Sequence, residues 1–129
     1  MNTTTISTIA RIIITPLFLY SGSGKILNFT DNVLKTPFGD SLIGRLMIIF
    51  AIIIELGGSV AFIVGYRIKE VSLIWILYVF LTSVMFHQFW TLSGPQQASQ
   101  VIQFTKNLSI IAGLLGFYLY YSGQNKKDQ

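Results

Sequence analysis

The sequence predicts an all-α integral membrane protein, a four-helix bundle in up-and-down order. Apolar residues make up 52% of the 129 and charged residues only 11%, where a soluble domain carries about 25% charged residues. Mean hydropathy is +0.62. Four stretches reach the roughly 20 mostly apolar residues that cross about 30 Å of hydrocarbon at a rise of 1.5 Å each.

The expected spans cover about residues 6–26, 46–65, 71–90 and 108–122, within one domain covering residues 1–129. The first resists reading as a cleaved signal peptide: Arg11 lies within it, Pro16 interrupts it, and no small-x-small cleavage site precedes a soluble domain. Residues 27–45 form a loop with turn formers at Thr30-Asp31-Asn32, Pro37 and Gly39-Asp40-Ser41, and a short surface helix is expected over 33–38. Tyr66-Arg67-Ile68-Lys69-Glu70 is a tight charged turn, which makes the second and third spans antiparallel neighbours. Residues 91–103 open with Ser93-Gly94-Pro95 and read as a polar, nearly uncharged connection, and the Asn125–Asp128 tail reads as a solvated end. Trp75, Trp90, Tyr66, Tyr118, Tyr120 and Tyr121 suit the membrane interface.

The net charge of +4 comes from scattered basic residues rather than a clustered face, which argues against nucleic-acid binding and for contact with anionic lipid. The chain has no cysteine, so structural disulfides and thiolate chemistry of its own are excluded. With four spans the termini share a side with Arg67 and Lys69, and Lys126 and Lys127 lie there too. Lys25, Lys35, Arg45 and Lys106 stand opposite. Reading Lys25 and Lys106 as bundle residues tips this balance, and both termini are expected to be cytoplasmic.

Charges in hydrocarbon cost about 2.5–3.5 kcal/mol each even on the lenient insertion scale, so they tend to face a bundle interior and mark function. Glu55 stands mid-span, on a helical face with Ala51, Gly58, Phe62 and Gly65. It serves either as a packing clamp or as a functional carboxyl. Arg11, Phe18 and Lys25 recur every seven residues on the first span, and Lys25 follows the small polar run Ser21-Gly22-Ser23-Gly24. That run is not a phosphate-binding Walker loop, because Leu19 stands where the first glycine belongs and Ile26 where Ser or Thr is required. His87 ends the third span on a face with Ile76, Phe80, Ser83 and Trp90, where Ser83 can hydrogen-bond it. A lone histidine offers no zinc or haem ligand set; beside Phe86, Phe89 and Trp90 it suits a structural role or a flat hydrogen-bonding ligand such as a quinone. Lys106, Ser109, Gly113 and Gly116 share a face at the fourth span. Bundle topology then brings Lys25, His87, Gln88, Lys106 and Asn107 together near one leaflet, with Glu55 deeper.

Taken in order, Arg11 with Ser21-Gly-Ser-Gly-Lys25, Glu55-Leu-Gly-Gly58, Gly65-Tyr-Arg67, His87-Gln-Phe-Trp90 and Phe104-Thr-Lys106-Asn107-Leu resemble the DoxX family across almost the whole chain. The resemblance implies a small four-helix protein of the bacterial or archaeal cytoplasmic membrane. The family takes its name from subunits of a thiosulfate:quinone oxidoreductase, and some relatives are the membrane part of assemblies handling thiol or oxidative stress. The resulting expectation is a membrane subunit or anchor of a quinone-linked redox complex, acting without thiol chemistry and with a soluble or membrane redox partner. Glu55 and His87 are its candidate pocket and proton-exchange residues. Lys25, Lys106, Asn107, Gln88 and Arg11 are its candidate anion or ligand contacts. Two other functions fit the same residues, a noncatalytic scaffold or assembly factor and a small solute or proton-coupled carrier, the last more readily as a homo-oligomer.

Overall fold

The computed structural model describes residues 1–124, and the expectations for Asn125–Asp128, Lys126 and Lys127 included, lie outside them. Helix follows helix: α1 (Thr3–Leu27), α2 (Phe29–Leu34), α3 (Leu42–Ile52), a π-helical turn (Ile53–Gly57), α4 (Gly58–Val64), α5 (Ile68–Phe86), a 3-10 turn (Phe89–Thr91) and α6 (Gly94–Gln124). Four helical stretches, Thr3–Leu27, Leu42–Val64, Ile68–Thr91 and Gly94–Gln124, are long and apolar enough to cross a membrane. The helices sort into two compact units that divide after Arg67.

In the first unit, Asn2 caps α1 by accepting from the Thr5 amide at 2.8 Å, and Ser41 caps α3 by accepting from the Gly44 amide at 3.1 Å. Gly44 is buried where a Cβ would meet the Gly39 carbonyl, so the loop closes directly onto the start of α3. The short helix of that loop is Phe29–Leu34, with Val33 buried, and lies earlier than the expected 33–38. Pro37 lacks the amide that would continue it and disfavours helical backbone at Thr36, and the chain turns at Thr36 and Gly39 instead. Just outside the membrane, Asp40 accepts from Arg45 Nε at 2.7 Å. That bond and the nearby charge hold its carboxyl below the ordinary value. Its contribution is therefore present above about pH 4 and fades as pH falls through the lowered value, and contact with solvent keeps the effect small.

α1 packs on α3, the π turn and α4 through Ser7, Thr15, Phe18 and Gly22. Gly22 is required by close approach: a Cβ there would lie 2.8 Å from the Leu56 side chain and 3.2 Å from Glu55 Cβ. The buried series from α3 to α4 runs Gly44, Ile48, Ala51, Glu55, Ser59, Phe62. Sequence spacing predicts Gly58 on this face, whereas Ser59 occupies it. The π turn widens one turn by a residue and rotates everything after Glu55.

In the second unit α5 and α6 run antiparallel, with Lys69 over the Tyr118 ring at one end and Ser83 against Asn107 near the other. The buried face of α5 is Ile68, Ser72, Trp75, Val79 and Ser83. Of the expected face Ile76, Phe80, Ser83, His87 and Trp90, only Ser83 belongs to it: the buried row of α5 passes through Trp75 and Val79 rather than Ile76 and Phe80, and the chain leaves the helical path after His87, whose amide makes the last helical bond. α6 starts at Gly94 and not at Leu108. Gly94 takes a left-handed φ of +61° and Pro95 enters the first turn, where its missing amide costs nothing. Gln96, Gln97, Ala98 and Gln100 are good helix formers without apolar periodicity, which made them look like a loop.

The distribution of side chains is inverted relative to a soluble protein. Ile12, Ile13, Leu17, Phe50, Ile53, Leu77 and Leu119 are exposed, while Thr15, Ser59, Ser72 and Ser83 are buried. Each buried hydroxyl donates to the carbonyl four residues earlier, at 2.6–2.7 Å. Small, self-satisfied polar residues inside and large apolar residues outside are what helices packing in lipid require. The chain is an all-α integral membrane protein.

Candidate functional site

The deepest polar centre belongs to the first unit. Glu55 is 3% exposed. Lys25 Nζ donates to both of its carboxylate oxygens at 3.0 Å and to Ser21 Oγ at 2.7 Å, and Ser21 in turn donates to Glu55 Oε1 at 2.9 Å. Three local features build this triangle. The i, i+4 spacing of Ser21 and Lys25 stacks them on one face of α1. Gly22 between them lets the π turn come close, and the π turn aims Glu55 at α1. Lys25 thus reaches inward to a carboxylate rather than outward to the interface, and its ammonium is already occupied as a ligand contact.

Arg11 sits at the other end of α1. Its Nη1 donates to the Phe62 carbonyl at 2.9 Å and its Nη2 to Thr8 Oγ1 at 3.1 Å, while Nε is buried without a hydrogen-bond partner. Gly65, at φ +80°, ends α4 directly beneath it. A Cβ at Gly65 would stand 2.5 Å from Nη1. A cation at the carbonyl end of a helix is well placed against its dipole, so Arg11 caps α4 instead of standing ready for an anion.

The second unit holds the histidine. The His87 amide donates to the Ser83 carbonyl at 3.0 Å, and His87 Nδ1 lies 2.7 Å from Gln100 Oε1, where sequence spacing predicts Ser83 Oγ. Ser83 Oγ instead donates to the Val79 carbonyl and accepts from Asn107 Nδ2 at 2.9 Å. Gln97 donates to the Phe89 carbonyl at 3.3 Å. Phe89, Trp90 and Phe104 pack edge to face, with centroids 5.2–6.2 Å apart. Gln88 is exposed and turns back to the Val84 carbonyl. Lys106 is exposed and donates to Gln103 Oε1 at 2.6 Å, and Gly113 and Gly116 are exposed with no atom near a would-be Cβ. The expected inward face of α6 through Lys106, Ser109, Gly113 and Gly116 is therefore its outer face.

The face that packs is Gln97, Gln100, Phe104, Asn107, Leu114 and Tyr118. Its signal was available as a 3,4 spacing continuing from the supposed loop into the span. Gln97 and Gln100 escape the sequence reading because their segment, polar and nearly uncharged, reads as a connection. Among the described residues no three His, Cys, Asp or Glu side chains gather as a metal site requires.

The DoxX family model matches residues 6–88. The chain belongs to the DoxX family. The DoxX match carries Arg11, Lys25, Glu55 and His87 and ends before α6. The chain is similar to the inner membrane protein YphA of Escherichia coli, 26% identical over 107 residues that cover 83% of this chain and 76% of the relative. Inner membrane protein YqjF of the same organism is 27% identical over 108 residues, covering 83% and 77%. No solved structure matches significantly. This DoxX protein is a multi-pass protein of the cytoplasmic membrane.

Proposed function

We propose that this DoxX protein is a membrane subunit or anchor that links a redox partner to the quinone pool, with His87 as its proton-exchanging group. The observation that supports this most is the placement of the single imidazole of the chain. It is half-buried at the end of α5, hydrogen-bonded to Gln100, and leads into the Phe89, Trp90 and Phe104 rings. Apolar rings with one convergent hydrogen-bonding group are what a flat carbonyl-bearing ligand needs. Titrating purified protein in lipid nanodiscs with a short-chain quinone is expected to quench Trp90, which is 52% exposed. His87→Ala is expected to weaken that binding about tenfold, the equivalent of one hydrogen bond of about 1.4 kcal/mol. Absence of binding to wild-type protein, with and without its copurifying partners, refutes the reading.

A noncatalytic scaffold is the second reading. The sealed Lys25–Ser21–Glu55 triangle supports it, because every strong donor and acceptor there is engaged within the chain.

In both readings the termini face the cytoplasm. Counted from the sequence alone, with Lys25 set aside because it is committed to Glu55, four crossings put Arg67, Lys69, Lys126 and Lys127 with the termini, against Lys35, Arg45 and Lys106 opposite. Since the chain has no cysteine, Phe38→Cys and Tyr66→Cys give single reporters at exposed sites. A membrane-impermeant maleimide applied to intact spheroplasts is expected to label the first and spare the second. The opposite pattern reverses the orientation.

A further inference from the structure

Gln100 and His87 are thirteen residues apart and come from opposite sides of the turn between α5 and α6. Their neighbours constrain how Gln100 is used. Gln97, one turn earlier on α6, donates to the Phe89 carbonyl, and Asn107, two turns later, donates to Ser83 Oγ. These amides hold α6 against the end of α5 from both sides of Gln100. Gln100 is the member of this row that presents its carbonyl oxygen to the other helix, at 2.7 Å from His87 Nδ1. An amide oxygen only accepts, so the proton of that bond must sit on Nδ1.

We propose that Gln100 is a positioning residue that fixes His87 as the Nδ1–H tautomer and leaves Nε2 as the one nitrogen whose protonation changes. In the neutral ring Nδ1 donates to Gln100 and Nε2 carries the lone pair. In the imidazolium Nδ1 still donates to Gln100 and Nε2 also becomes a donor. The bond between the two helices therefore survives in both charge states, and proton exchange at Nε2 requires no repacking of α5 against α6. Neutral Nε2 accepts from a hydroxyl and protonated Nε2 donates to a carbonyl oxygen. That pair of behaviours matches a ligand whose oxygen alternates between hydroxyl and carbonyl, as in a quinol and its quinone. This ligand class rests on the quinone-linked reading above; the tautomer does not.

His87 is the only histidine, so nitrogen-15 labelling of histidine in the full chain in lipid bilayers yields one imidazole. At alkaline pH the wild-type protein is expected to show a pyrrole-type Nδ1 and a pyridine-type Nε2. Gln100→Leu is expected to lose the dominant pyrrole-type Nδ1 signal, and Gln100→Glu, whose carboxylate also only accepts, is expected to keep it. A wild-type ring protonated on Nε2 overturns the proposal, as does an unchanged spectrum in a folded Gln100→Leu. Should the leucine variant fail to fold, the wild-type and Gln100→Glu spectra decide, and loss of Nδ1–H in the latter overturns the assignment. If quinone fails to bind a protein that shows Nδ1–H, the functional reading falls and the role of Gln100 stands. If quinone binds a protein that shows Nε2–H, only the role of Gln100 falls.

Discussion

Glu55→Ala is expected to destabilise the protein by about 3 kcal/mol, read as a fall in unfolding midpoint in detergent or bicelles. Removing one member of a buried ion pair leaves the other charge uncompensated, which costs about 3–5 kcal/mol. The lower end applies because the Lys25 side chain is 17% exposed and can retreat along its stem toward the interface. Lys25→Met combined with Glu55→Leu is expected to recover most of that loss, since a buried pair replaced by apolar side chains of similar volume is often neutral. If Glu55→Ala is as stable as wild type, the triangle contributes nothing to the fold. The double variant also separates the two functional readings. A stable double variant that still supports its partner assembly means the pair is a packing clamp, as in a scaffold, whereas a stable but inactive one means the carboxylate or ammonium is used directly.

Gly65→Ala is the second large effect, because two costs coincide at one position. The left-handed φ of +80° costs an alanine about 1–2 kcal/mol. The new Cβ would also stand 2.5 Å from Arg11 Nη1 and push the guanidinium off the Phe62 carbonyl. Hydrogen bonds from charged groups contribute about 1.5–3 kcal/mol. A loss well above 2 kcal/mol is therefore expected in the same unfolding assay. Arg11→Met is expected to show only the hydrogen-bond part, and Gly65→Ala placed on top of it only the backbone part. If the two substitutions add fully, Arg11 and Gly65 are not coupled and the capping arrangement is wrong.

Much of the fold was legible because membrane helices announce themselves by length and apolarity. Three spans lie within about a turn of their expected starts, and the link between α4 and α5 is shorter than the expected Tyr66–Glu70 turn, because Ile68, Lys69 and Glu70 already belong to the first turn of α5. The exception is α6, whose first turns are glutamine-rich and exposed. Helix propensity without a hydrophobic face resembles a polar loop, and here Gly94 and Pro95 begin a helix where they seemed to mark a connection. Side-chain facing was less legible. An ideal helical wheel puts Gly58 inward, and the π turn substitutes Ser59. The same wheel carried past His87 puts Trp90 on a helix that has already ended.

By itself the sequence determined the membrane class, the four crossings and the family, and it singled out Arg11, Lys25, Glu55 and His87, each of which has a specific partner within the chain. These follow from the cost of charge in hydrocarbon, which acts on each residue wherever its neighbours stand. Only the tertiary structure decided who the partners are. Glu55 has Lys25 and Ser21, His87 has Gln100, and Arg11 has the Phe62 carbonyl, while Lys106 turns outward. Partner choice depends on angstrom-scale approach and helix rotation. A π turn, a single glycine contact and the true start of α6 change both, and hydropathy registers none of them.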